Sequence, residues 1–205
     1  MTNCLKLICK GCFVFALLFM YTANAQQNSK PLEINLKDFV ISIPGISIDK
    51  HYALSIKHRK NKTHVGLEYG DTPIDKVLNI KNCRVKIIKI ALKFESDLFI
   101  SDEGKPFSLK DWKHYKTDWE EIDKVKPHQF VVFNFEDGKH KNFYDIDENE
   151  LKAAIKKYAG ESWYKNYLSI PYSYVVLSKA YMKIEYIKNK KKHIKYIEFD
   201  LPVNA

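Results

Sequence analysis

Two histidines, one cysteine and a few carboxylates are the residues in this 205-residue chain that could carry chemistry. His58 and His64 flank the polar run Arg59-Lys60-Asn61-Lys62-Thr63. A hairpin there could bring the two imidazoles together as half of a zinc site, but no Cys, Asp or Glu at ligand spacing completes the set. The spacing therefore reads as two solvent-facing histidines in a basic loop. Cys83 has Arg84 and Lys86 to favour a thiolate, yet Val85, Ile87 and Ile88 predict a strand in the core. A lone thiol with no histidine signature around it reads as a small buried hydrophobe, the alternative being a site for an intermolecular bridge.

The carboxylates Asp118, Glu120, Glu121 and Asp123 share one short segment, whereas a hydrolase needs two facing each other across a cleft. Asp145, Asp147 and Glu148 resemble part of a calcium loop, but its glycine and closing glutamate are missing, and helix capping explains them. There is no glycine-rich phosphate loop, no Gly-x-Ser-x-Gly and no His-Glu-x-x-His. No residue is assigned a catalytic or metal-ligating role, and no cofactor is expected.

Two features concern surfaces instead. Lys188, Lys190, Lys191, Lys192 and Lys195, with His193, fall at the expected tip of the last hairpin. Such a tip could meet acidic lipid headgroups, an acidic protein or another polyanion, although lysines also guard sheet edges against aggregation. Tyr158, Trp163, Tyr164, Tyr167, Tyr172 and Tyr174 crowd the connection before that hairpin, more aromatics than one irregular segment can send into a core. Surface aromatics anchor protein interfaces. Trp163, Tyr164, Tyr167 and Tyr172, with Lys190, Lys191 and Lys192, are thus the expected partner-binding residues.

The elements that would position these groups follow from periodicity and punctuation. Strand-like segments run over Ile34–Ile43, stopped by Pro44-Gly45, then Tyr52–His58 and His64–Tyr69, the last two as a hairpin. Thr72-Pro73 with Asp75 suggests a short helix through Leu78. Cys83–Phe94 is rich in β-branched residues, and its alternation changes phase at Ile87-Ile88, as in a strand carrying a bulge. Leu109, Trp112, Tyr115, Trp119 and Ile122 recur at spacings of three and four, which predicts a helix over Ser108–Val125. Gln129–Phe135 reads as a strand turning at Asp137-Gly138 into Lys139–Tyr144.

Glu148–Ala159 is the clearest helix, capped by Asp147 and ended by Gly160. Beyond Pro171, Tyr174, Val176, Ala180, Met182, Ile184 and Tyr186 face one way, and Lys179, Lys183 and Glu185 the other. A turn over Asn189–Lys192 leads into Ile194–Phe199. The expected class is α+β: a mostly antiparallel sheet built from hairpins, with two or three helices packed on it.

Compartment comes from the N-terminus. Lys6 and Lys10 precede an uninterrupted apolar run, Cys12–Tyr21, and Ala23-Asn24-Ala25 supplies the small residues a signal peptidase reads. The run is about half of the roughly 20 residues that span a bilayer, so residues 1–25 are expected to be a cleaved secretory signal. Residues 26–31 read as a polar leader and 32–205 as a single domain, with no span left after cleavage. Cys4, Cys9 and Cys12 leave with the signal, so no intrachain disulfide is possible, and the remaining chain stays basic. A periplasmic or secreted binding protein fits these features, most concretely an immunity or inhibitor protein that occludes a toxin or enzyme. The alternatives are a small exported hydrolase with a dispersed site, or a polyanion- or glycan-binding module using the Lys188–Lys195 tip.

Overall fold

In the computed structural model, residues 30–48, 56–100, 105–107, 115–134, 140, 143, 145–167 and 173–202 are described. The alternating apolar residues of the N-terminal segment make β1 (Leu32–Leu36) and β2 (Phe39–Ile43), a hairpin turning at Lys37-Asp38. A second hairpin joins β3 (Ile56–His58) to β4 (Lys62–Gly66), closed by the Arg59 amide donating to the Lys62 carbonyl at 2.7 Å. Then come β5 (Val77–Lys81), the long β6 (Lys86–Ile100), β7 (Lys105–Phe107), β8 (Glu120–Glu121), β9 (Asp123–Lys126) and β10 (Gln129–Val131). One helical segment, α1 (Glu148–Ala159) with a short continuation α2 (Glu161–Tyr167) past Gly160, precedes the terminal hairpin of β11 (Ser173–Lys188) and β12 (Lys191–Asp200).

These strands form two sheets. A five-stranded sheet has the order β1-β2-β5-β10-β9, and a seven-stranded one the order β3-β4-β12-β11-β6-β7, with β8 beside β7 on the edge of β6. All pairs are antiparallel except β12 with β4, which run parallel. Ile34, Phe39, Ile41 and Leu78 of the first sheet share one buried cluster with Leu92, Phe94, Met182, Ile184 and Phe199 of the second. Phe39 meets Tyr186 edge-on across the layers, with ring centroids 5.4 Å apart. Each such fully buried side chain contributes about 1.5–3 kcal/mol through its lost contact with water.

The α+β expectation is therefore wrong: the described residues are mostly β, 55% strand and 12% helical, with two sheets sharing a core. Leu151 and Ile155 of α1 are buried, but neither belongs to the cluster that joins the sheets. The helix expected over 108–125 is extended wherever it is described. Ser96 donates to the Tyr115 carbonyl, Thr117 to that of Phe94 and Ile122 to that of Ile90, so this segment satisfies the free edge of β6. Hydrogen-bonding an otherwise bare strand edge overrides a three-and-four apolar spacing that was coincidental. Residues 108–114 lie outside the described residues. The helix expected from Thr72 is a single turn, the Thr72 hydroxyl capping the Ile74 amide before Asp75 adopts φ 58° and β5 begins. Cys83 sits in the β5–β6 loop, half-buried, its thiol donating to the Val85 carbonyl at 3.0 Å. The expected Asp137-Gly138 turn falls outside the described residues.

Other readings hold. Ile88 is the unpaired residue of a β6 bulge, since Lys89 faces Glu185 and Ile87 faces Tyr186. Asp147 caps α1 by accepting from the Asn149 and Glu150 amides. The two faces of β11 divide as expected only from Lys179 onward: Ser178 is unpaired in a second bulge, which shifts the phase, so Val175 and Leu177 turn to the core and Val176 pairs with Asp97 on the other face.

Candidate functional site

Because side chains alternate along a strand, the face of the seven-stranded sheet turned away from the core collects the odd-numbered residues of β11 from Lys179 to Glu185. Lys179, Tyr181, Lys183 and Glu185 lie there beside Tyr196, Glu198 and Asp200 of β12, Lys62 and His64 of β4, and Lys93 and Glu95 of β6. Three of its carboxylates are sunk into this outer face. Glu95, Glu185 and Glu198 have side chains only 10%, 8% and 6% exposed.

Each sunken carboxylate is held by two lysines. Lys116 and Lys93 approach Glu95 at 3.0 and 3.5 Å. Lys192 and Lys183 approach Glu185 at 2.6 and 3.8 Å. Lys62 contacts Glu198, and Lys179 reaches its other oxygen at 3.1 Å. The hydrogen bond from Lys192 holds the Glu185 carboxyl below its ordinary range. Burial pushes Glu198 up, but the bonds from Lys62 and Lys179 outweigh it, and the net displacement is downward. Burial, followed by the nearby Glu95 and Glu198 charges, drives the Tyr181 phenol upward, so it stays protonated and donates to Glu95 at 3.0 Å.

Among these charges lie two exposed aromatic residues. Trp119 leads into β8, whose Glu121 pairs with Ala91 of β6, and Ala91 in turn faces Lys183. The Trp119 and Tyr196 ring centroids are 6.0 Å apart and tilted by 50°, and the Lys183 ammonium stands 5.0 Å over the indole. Both rings are more than a third exposed, and Ile194 on the same face is similarly open.

The residues expected to bind a partner are dispersed. Trp163, Tyr164 and Tyr167 belong to α2, where half-buried Tyr164 lies under Lys156 of α1 at 5.2 Å. Tyr172 lies outside the described residues. The tip lysines divide by role: Lys188 is tied to Asp38 of the opposite sheet at 2.5 Å, Lys195 donates to the Lys60 carbonyl, and Lys192 joins the outer face through Glu185. The side chains of Lys190 and Lys191 at the turn have no partner among the described residues. The exposure of Trp119 and Tyr196 is not foreseen by the sequence reading. The spacing of Trp119 predicts a helix, and Tyr196 reads only as part of a strand; the polar phase of the terminal hairpin is the signal that could find Tyr196.

His58 and His64 do not converge, because they occupy opposite faces of β3 and β4. His58 bonds to the Thr63 hydroxyl, while His64 faces Glu198. His64, Glu198 and Asp200 do bring three donor atoms within 4.8 Å of one another. Lys62 and Lys179 already supply the positive charge a divalent ion would bring to Glu198, so the donor set reads as an ion-pair network. Elsewhere, an open cleft of about 400 Å³ is bordered by Tyr69, Asp71, Asp75 and Asn134 over Leu177 and Leu201. Its Asp71 is engaged in holding the Ser47 amide at 2.5 Å. Among the described residues, no helix is long and apolar enough to cross a membrane.

Comparison of the chain with protein-family models, curated proteins and solved structures found no match. What can be said of function rests on the residues themselves.

Proposed function

We propose that this chain is an exported, non-catalytic binding protein that occludes a protein partner in the manner of an immunity or inhibitor protein. Its contact surface is the outer face of the seven-stranded sheet. The observation that carries this reading is the exposed Trp119–Tyr196 pair, 6.0 Å between centroids, set among paired charges on the outer face of the sheet. Tryptophan and tyrosine dominate the binding energy of protein interfaces, because they desolvate a large area at little cost in side-chain entropy. The export element of the reading rests on the signal-like residues 1–25.

A photo-crosslinking amino acid placed at position 196, and separately at 69 as a distant exposed control, tests this in the producing cells. A discrete adduct from 196 alone is expected. The captured protein should then bind Trp119→Ala and Tyr196→Ala roughly thirtyfold or more weakly than the parent, a loss of about 2 kcal/mol or more. Equal affinity for parent and both variants would overturn the proposal.

A further inference from the structure

We infer that the surface docking on this face is an acidic patch of a folded protein, a deduction that rests on the binding reading above. The ground for it is how the charges are layered. Glu95, Glu185 and Glu198 are sunk in the face, whereas Lys116, Lys192 and Lys62, which pair with them, are 47%, 58% and 42% exposed. One carboxylate offsets one ammonium. With two lysines on each, the second is surplus, and it stands nearer the solvent than the charge beneath it. Asp200, exposed beside Lys179, and Glu121, exposed beside Lys89, offset part of this excess, while Lys57, Lys86 and Lys89 on the same face add to it.

An approaching partner therefore meets ammonium groups first. An exposed lysine exchanges one carboxylate for another at little cost, because each exposed pair contributes only about 0–1 kcal/mol. The sunken glutamates need not be stripped of charge partners for this to happen, since Lys93, Lys183 and Lys179 remain on them. The aromatic pair chooses between acidic partners. Its rings are tilted by 50° and the indole is capped by Lys183, so the two do not form the flat platform on which a sugar chain stacks. They fit the irregular side chains of a protein surface instead.

The test is an amide-shift NMR titration of the exported chain with three probes: a glutamate-rich peptide containing tyrosine, polygalacturonate and neutral dextran. Expected is binding of the peptide with shifts on β4, β11 and β12, weakening at least tenfold as salt rises from about 50 to about 200 mM. The combined variant Lys62→Gln, Lys116→Gln, Lys192→Gln leaves each glutamate one lysine, so its melting should stay close to the parent's while peptide affinity falls at least tenfold. Lys190→Gln with Lys191→Gln should leave affinity unchanged. Shifts confined to the turn, or no peptide binding, would overturn the inference; so would polygalacturonate binding tenfold tighter than the peptide. If the peptide fails while Trp119→Ala still weakens the crosslinked partner, only the acidic assignment falls and the binding reading stands.

Discussion

Glu185 is a carboxylate whose proton affinity is set by its neighbours, chiefly the hydrogen bond from Lys192. Its folded-state pKa lies below the ordinary 4.5, so the stability it contributes is complete above that pH and is lost as pH falls below it. Asp38, lowered chiefly by its bond to Lys188, and Glu198 titrate with the same sign. Glu185→Gln removes one member of this group. The drop in unfolding free energy between neutral and acid pH should be smaller in the variant than in the parent when both are followed by urea denaturation. Lys192 stands in solvent, so the difference should shrink further in high salt. Part of this chemistry was legible beforehand: Lys179, Lys183 and Glu185 were expected on one face of the hairpin. Their cross-strand partners were not, because Lys62 reaches Glu198 only through a strand pairing that no local pattern announces.

Among the elements, those defined by local rules were the readable ones. Helix α1 carries its own start and stop, Asp147 accepting from two backbone amides and Gly160 at φ 93°. Asp147→Ala should lower stability by about 1 kcal/mol if α1 unfolds with the sheets, measurable as a reduced urea midpoint at unchanged slope. The bulge at Ile88 was legible for a similar reason, since an extra residue shifts the phase of alternation within a single strand. The segment over 115–126 misled because its apolar residues serve different places. Tyr115 and Ile122 are buried, Trp119 turns outward, and Asp123–Lys126 forms the fully exposed edge strand β9. A spacing compatible with one helical stripe was produced by two short strands and a crossing loop.

At the scale of the molecule, the two sheets are fastened at one end by the Phe39–Tyr186 contact and by the Lys188–Asp38 ion pair. One shared cluster links both sheets, so they should unfold together, with tryptophan fluorescence and far-ultraviolet dichroism giving coincident urea transitions. Phe39→Ala should shift both signals equally, by about 3–5 kcal/mol, because the cavity opens between the layers. Separate transitions would mean that the layers are energetically independent. Sheet order could not be read from the sequence, since which strands become neighbours depends on the packing of the whole chain. Among the described strand pairs, the parallel β12–β4 pair has the longest reach, and beside it Lys195 donates to the Lys60 carbonyl across 135 residues of chain. On a ribosome, or emerging from a translocation channel, β3 and β4 must wait for almost everything after them before they can dock. Until then the edge of β4 that receives β12 is bare, and a holdase that shields it would govern how much of the newly made chain reaches its native state rather than aggregating.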